Sequence, residues 1–221
     1  MRKMYLSAPL PFVGQKRMLA KEFMKVLEQY PDGTLFVDLF GGSGLLSHIT
    51  KSLKPHSTVI YNDFDNYRFR MKHIPQTNQL LADIREMVGN SVPRHKIIKG
   101  ELRERIFSRI EQEENSTGYV DFITLSSSIL FSMKYKLSVQ DMRKEALYNN
   151  IRKTGYPECT DYLEGLEIVS CDYKEVFNRY KDIPGVVFLV DPPYLSTDVG
   201  TYNMYWNMAD YLDVLNVLKG H

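Results

Sequence analysis

The residues with the clearest chemical potential are Asp191-Pro192-Pro193-Tyr194, which follow directly on the apolar run Val186-Val187-Phe188-Leu189-Val190. Five apolar, mostly β-branched residues predict a strand buried on both faces. Proline has no N–H and a fixed φ, so the hydrogen-bond ladder of that strand must end there. The corner thus delivers a carboxylate, two rigid carbonyls and an aromatic ring at the carboxyl end of a buried strand. Open α/β sheets bind their ligands at that end, which makes the corner the first candidate for an active site. By itself the tetrapeptide would also serve as a rigid turn that stops a strand.

A second group of candidates lies in the first third of the chain. Thr34-Leu35-Phe36-Val37-Asp38-Leu39-Phe40 predicts another buried strand, Gly41-Gly42-Ser43-Gly44 a loop, and Leu45-Leu46-Ser47-His48-Ile49 a short helix. Strand, glycine loop and helix together bring backbone N–H groups close to a ligand. The loop is neither a Walker loop nor a G-x-G-x-x-G fingerprint, and a plain turn is an equal alternative. Thr58 to Asp63 predicts the next strand. Its terminal Asp63 stands where an acid holds ribose hydroxyls in nucleotide-type folds, or where a carboxylate caps the following helix. Pro11-Phe12-Val13-Gly14-Gln15-Lys16-Arg17 reads on its own as a basic surface turn.

The elements that must position these residues follow from periodicity. Lys16 to Tyr30 carries Leu19, Phe23, Val26 and Leu27 as a helical stripe. Leu166 to Ser170 predicts a short strand, followed by Cys171-Asp172-Tyr173 and a helix to about Tyr180. Asn207 to Leu218 predicts a last helix with Asn207 as its N-cap. From about Asn66 to Thr160 the strand–helix alternation stops. Helices are expected over Gln76–Val88, Lys96–Glu113 and Tyr119–Phe131. Another is expected over Ser138–Lys153, capped by Ser138 and ended by Gly155. Lys and Arg outnumber Asp and Glu in this insertion, with Arg70, Arg103, Arg109 and Arg143 among the cations. It presents either solvated helix faces or a phosphate-contacting surface.

Composition sets the outer bounds. With 221 residues, 28 Lys and Arg against 27 Asp and Glu, and a formal charge of +1, one α/β domain with an insertion is expected. The overall charge makes no strong case for nucleic acid. Cys159 and Cys171 lack metal or redox spacing, and no His/Cys/carboxylate cluster offers a metal site. Neither a signal-peptide core nor a run of transmembrane length is visible, so a cytoplasmic, metal-free protein without membrane association is expected.

Phe40-Gly41-Gly42-Ser43-Gly44 followed much later by Asp191-Pro192-Pro193-Tyr194 resembles the amino-methyltransferases that use S-adenosylmethionine. The N-terminal Pro11-Phe12-Val13-Gly14-Gln15-Lys16-Arg17 and the order of the motifs resemble the Dam-like DNA adenine N6-methyltransferase family. The resemblance implies a Rossmann-like methyltransferase sheet in residues 1–65 and 166–221, with a helical target-recognition insertion at 66–165. It implies S-adenosylmethionine as cofactor and double-stranded DNA as partner, with restriction–modification as one setting. Lys16 would meet the methionine carboxylate, with Phe12 and Gly14 shaping that wall. Asp38, Phe40, Gly41, Gly42 and Gly44 would hold the methionine portion, and Asp63 the ribose. Asp172 and Tyr173 would lie beside the cofactor adenine. Asp191 and the Pro192 carbonyl would accept the two N–H bonds of the target amine, and Tyr194 would stack on a base drawn out of the duplex.

Two departures from the family pattern shape the expectations. The insertion reads Thr124-Leu125-Ser126-Ser127-Ser128 where the family has an Asn-Arg pair, and Ser138 to Lys153 reads as helix where the family has a glycine-bearing hairpin. The family's sheet also continues beyond the helix after the catalytic motif. A sheet short of its C-terminal strands is therefore expected: either the chain is a fragment of a longer protein, or another chain or a second copy covers strand 186–190. Cytosine N4, RNA or a protein amide as substrate, and a cofactor- or DNA-binding module without turnover, stand as alternatives.

Overall fold

The computed structural model describes residues 3–131, 134–193 and 207–219. In chain order the elements are α1 (Ala20–Leu27), β1 (Phe36–Asp38), α2 (Leu45–Leu53), β2 (Val59–Asn62), α3 (Tyr67–Lys72) and α4 (Ile74–Val88). These are followed by β3 (Ile97–Ile98), α5 (Gly100–Thr117), α6 (Phe122–Ile129), α7 (Val139–Arg143) and β4 (Leu147–Tyr148). The chain continues with β5 (Glu167–Val169), α8 (Tyr173–Tyr180), β6 (Val187–Leu189) and α9 (Met208–Lys219). They fall into two compact units, one of Met1–Ala8, Phe12–Phe69 and Cys159–His221, the other of Pro9–Pro11 and Arg70–Glu158.

The first unit is built on a parallel sheet of order β5-β2-β1-β6. The strands are only three or four residues long; β1 and β2 are buried throughout, whereas the outer strands β5 and β6 are partly exposed. Successive residues point to opposite faces. Phe36, Val59 and Leu189 join Ala20, Leu27, Leu45 and Ile49 on the face covered by α1 and α2. Val37 and Ile60 join Val176 and Phe177 of α8 on the other, with Phe188, Val217 and Leu218 packed against them. A mostly parallel sheet with helices on both faces is the Rossmann-like architecture. Among the described residues β6 pairs with β1 alone, and its Phe188 ring lies 4.8 Å from that of Phe177. From β1 the chain moves outward on one side to β2 and β5, then returns to the other side as β6. The point of reversal lies between β1 and β6, where such sheets open a crevice at their carboxyl ends.

The second unit is mainly helical and centres on Ile74, Leu81, Ile84, Ile106, Phe107 and Ile110, all within 1% of full burial. It departs from expectation in two places. Ile97 and Ile98 do not begin a helix. They form β3 and pair antiparallel with Tyr148 and Leu147. Gly100, at φ +61°, then turns the chain into α5. The helix begun at Ser138 stops at Arg143 rather than running to Lys153. Ser138 caps it as expected, accepting from Asp141 N at 3.1 Å. Beyond it, Leu147 finds a strand partner with a buried side chain, and tertiary pairing overrides local helix preference. Gly155 therefore ends no helix. A Cβ there would come 2.8 Å from the side chain of Asn78, which bonds both backbone groups of Tyr156.

Several of the insertion's cations are engaged within the protein, and one of them is internal. Arg70 is 7% exposed. Its guanidinium bonds Asp121 Oδ1 at 3.1 Å, Thr124 Oγ1 at 3.1 Å and the Pro11 carbonyl at 2.8 Å. Arg109 bridges Asp83 and Glu113, and Arg143 bridges Glu104 and Glu111.

Candidate active site

The residues brought to the carboxyl end of the sheet enclose a cleft within the first unit. Counted with its open mouth and the solvent in it, it has an empty volume of about 900 Å³. The turn at Phe12-Val13-Gly14-Gln15-Lys16 forms one wall, and Phe40 to Ser43 form the floor. Asp172 and Tyr173 flank it from the start of α8, and Asp191, Pro192 and Pro193 close it from the end of β6. The two motifs farthest apart in the sequence touch here, for Lys16 Nζ lies 2.6 Å from Asp191 Oδ2. The same ammonium donates to the Gly14 carbonyl at 2.7 Å.

The glycine loop is held from behind. Gly41 O accepts from Gly44 N at 2.7 Å. Gly42 O accepts from the Tyr61 hydroxyl at 2.7 Å, and Ser43 O from the Tyr162 hydroxyl at 3.1 Å. With three consecutive carbonyls engaged inside the protein, the backbone donors are what the loop has left to offer a ligand. Glycine is required at Gly41, where a Cβ would sit 2.3 Å from the Tyr61 ring and 2.8 Å from the Asn62 carbonyl. At Gly42, with φ +49°, a Cβ would press on the Phe12 ring at 2.9 Å.

Three sequence candidates lie outside the lining. Asp38 is 1% exposed beneath the loop. Its Oδ2 accepts from the Ser47 hydroxyl at 2.7 Å, while Oδ1 has no hydrogen-bond partner among the described residues. Burial pushes its carboxyl up to about 7, with Ser47 hydrogen bonding pulling the other way and the charge of Asp191 adding to the rise. Gly44, at φ +71°, turns the chain into α2. Asp63 accepts from Tyr67 N at 2.6 Å and Arg68 N at 3.0 Å, the bonds of a helix-capping carboxylate. Burial raises its pKa against those bonds. The acid of this loop that lines the cleft is Asp65. Tyr194 lies outside the described residues.

The model of the D12 class N6 adenine-specific DNA methyltransferase family matches residues 12–214. A Haemophilus influenzae protein named "Putative methyltransferase" is 38% identical over 224 residues, covering 99% of this chain and 75% of that protein. The chain belongs to the D12 class family. It is a methyltransferase, and its cleft is the place to ask how a methyl donor would be held.

Methyltransferases of this family generally use S-adenosylmethionine, and the residues around the cleft fit that molecule. Lys16 suits its carboxylate. The backbone donors of a loop that only glycine can form suit close approach, and Asp65 with Asp172 suit hydroxyl and amine donors. Phe12, Phe40 and Tyr173 supply flat apolar surface, with the Phe40 and Tyr173 rings 4.9 Å apart.

Sequence reasoning missed the methyltransferase's supporting residues. Asn62 lines the cleft and ties strand ends together, with Nδ2 donating to the Leu39 and Cys171 carbonyls at 2.9 and 3.0 Å and Oδ1 accepting from Cys171 N at 3.1 Å. An amide at the end of an apolar strand was the available signal. Tyr162 lies between two elements and carried none. His48 packs flat against Tyr162, its ring centroid 4.7 Å away. It bonds the Tyr162 carbonyl through Nδ1 at 2.7 Å and accepts from Tyr5 N at Nε2 at 2.9 Å, which fixes a neutral ring.

Proposed function

We propose that the protein transfers a methyl group from S-adenosylmethionine to the N6 amine of adenine in double-stranded DNA. The observation that carries this reading is the meeting of Asp191 and Pro192 with the glycine loop and Lys16 around one cleft. Lys16 would hold the cofactor's carboxylate, the Phe40–Gly42 backbone its amino-acid portion, and Asp65, Asp172, Phe40 and Tyr173 its nucleoside. When bound, the cofactor supplies an electrophilic methyl group on a sulfonium centre.

The chain's own task is to make a poor nucleophile better. The exocyclic nitrogen of adenine has its lone pair delocalised into the ring. Asp191 accepts one of its N–H bonds and the Pro192 carbonyl the other, which draws the nitrogen toward tetrahedral geometry. Positive charge builds on that nitrogen as its bond to the methyl forms and the methyl–sulfur bond breaks. A fixed carboxylate stabilises charge where it develops, and one N–H proton then leaves through Asp191 to solvent. Pro192 and Pro193 add rigidity and no competing N–H. The base must leave the duplex to reach this corner, and Tyr194 is the aromatic residue beside the clamp in sequence.

The test is transfer of labelled methyl to a pool of duplex DNA, followed by digestion to nucleosides. N6-methyladenine is expected. Label on cytosine N4, or on RNA or protein alone, overturns the substrate. Asp191→Ala should reduce transfer by a factor of about 10² to 10³ or more with an unchanged thermal melt, and full activity in that variant overturns the mechanism.

A further inference from the structure

The cations of the second unit fall into two populations. Most of those on α5, on α7 and next to them are matched with acids. Arg103 meets Glu104, Arg109 meets Asp83 and Glu113, Arg143 meets Glu104 and Glu111, Lys144 meets Asp141, and Lys134 and Lys136 share Glu145. The second population gathers at the β3–β4 ribbon. Residues 89–99 contain Arg94, His95, Lys96 and Lys99 and no acid, and residues 146–157 contain Arg152 and Lys153 and no acid. All six side chains are exposed. None of them enters an ion pair among the described residues.

The fold makes these two stretches one surface. Beyond the Ile97–Tyr148 and Ile98–Leu147 pairs, His95 N donates to Asn149 O at 3.0 Å and Asn149 N to Lys96 O at 2.9 Å. His95 Nδ1 contacts Asn150 Oδ1 at 2.9 Å. Arg94 donates to the Ile151 carbonyl, and Arg85 Nε to the Arg152 carbonyl at 2.9 Å. Two arginines thus satisfy backbone oxygens where carboxylates would ordinarily be found, and bring more positive charge to the same place. The Arg152 guanidinium sits 4.3 Å above the Tyr156 ring. In a chain whose total charge is balanced, two acid-free stretches paired side by side concentrate positive charge in one place.

We infer that the β3–β4 ribbon and the residues flanking it, through Lys96, Lys99, Arg152 and Lys153, grip the sugar–phosphate backbone of duplex DNA. This rests on the DNA reading above. Exposed side chains strung along two paired stretches suit an extended polyanion. Lysines act as point charges without the planar fork used to read a base edge, so the grip is sequence-independent. It contributes affinity and orientation, and target choice lies elsewhere.

The experiment measures binding of a fluorescent duplex across a salt series for the wild type and for Lys96→Gln/Lys99→Gln/Lys153→Gln, which leaves Arg152 on its ring. Every cation withdrawn from a phosphate should reduce the slope of log K against log salt by about 0.9. The triple variant should therefore bind weakly at low salt and show a shallower slope, equally on duplexes of unrelated sequence. Lys72→Gln/Arg105→Gln removes exposed cations elsewhere in the chain and should leave the slope unchanged. An unaltered slope in the triple variant, or an equal reduction in the control, overturns the ribbon grip while leaving the DNA substrate intact. A wild type that neither binds nor methylates duplex DNA overturns the functional reading and the grip with it.

Discussion

Lys16 and Asp191 form an ion pair of 2.6 Å across the cleft. Their side chains are 15% and 21% exposed, so solvent screens the pair and its own contribution to stability is about 1 kcal/mol or less. Its importance is positional, because it joins the wall proposed to hold the cofactor to the acid proposed to hold the amine. Lys16→Met should leave the melting midpoint nearly unchanged and weaken S-adenosylmethionine binding by about tenfold, roughly 1.4 kcal/mol. Calorimetric titration at two salt concentrations checks this, and the salt dependence seen in the wild type should be absent from the variant.

The Tyr61 and Tyr162 hydroxyls each hold a carbonyl of the glycine loop. Removing the Tyr162 hydroxyl strands a buried acceptor, at a cost of about 1–3 kcal/mol, and removing that of Tyr61 strands a part-buried one. Tyr162→Phe should raise the cofactor dissociation constant several-fold and change turnover at saturation much less. Tyr61→Phe should do more, because that hydroxyl also reaches Asp63 Oδ1 at 3.0 Å. A split between KM and kcat separates loosening of the loop from damage to the chemistry.

Asp38 gives the fold a pH dependence of known sign. Its folded pKa of about 7 lies above the ordinary 3.8, so the native state holds a proton that the unfolded state has released. That stability is complete below about pH 4 and is lost as pH rises toward 7. Asp63 is raised in the same direction, so the informative quantity is a difference. Urea unfolding at pH 5 and pH 8 should show a larger loss in the wild type than in Asp38→Asn, whose amide titrates nowhere in that range.

Arg70 and Asp121 form a buried pair whose partners are also held by Thr124 and the Pro11 carbonyl. Arg70→Met leaves the Asp121 carboxylate without its counter-ion, and breaking such a pair costs about 3–5 kcal/mol. A fall of roughly 10 °C in the melting midpoint is expected. This arginine, which composition alone offered as a phosphate ligand, serves the interior of its unit.

The parts of the fold that were legible in the sequence are those dictated by local pattern. Buried parallel strands are continuous apolar runs, and glycine and proline mark where the chain must turn or stop pairing. For this reason β1, β2, β5 and β6, the glycine loop and the Asp191–Pro192 corner could be named from residue types, whereas Phe12, Gly14, Lys16, Asp172 and Tyr173 of the lining were named only through the family resemblance. The second unit was less legible, because Ile97-Ile98 and Leu147-Tyr148 acquire strand character only by meeting each other. Asp63 shows the same limit at the site. A carboxylate after a strand can hold a ligand or cap a helix, and its bonds to Tyr67 N and Arg68 N come from the helix that follows. Tyr162 carried no signal because its role exists only once its hydroxyl reaches Ser43 from the far side of the chain.

The sheet order β5-β2-β1-β6 has a consequence for the time at which the cleft comes into being. β1 and β2 are close in sequence and can pair soon after they are made. The bond from Asn62 to Cys171 spans 109 residues, and Asp191 follows later still. At a synthesis rate of about 5–20 residues per second, Asp191 leaves the ribosome on the order of ten seconds after Asp63. During that interval both outer edges of the β1–β2 pair are open and apolar. The nascent protein holds its glycine loop without its acid, and the unpaired edges of Val37 and Ile60 are where a chaperone, or an aggregating neighbour, would find it.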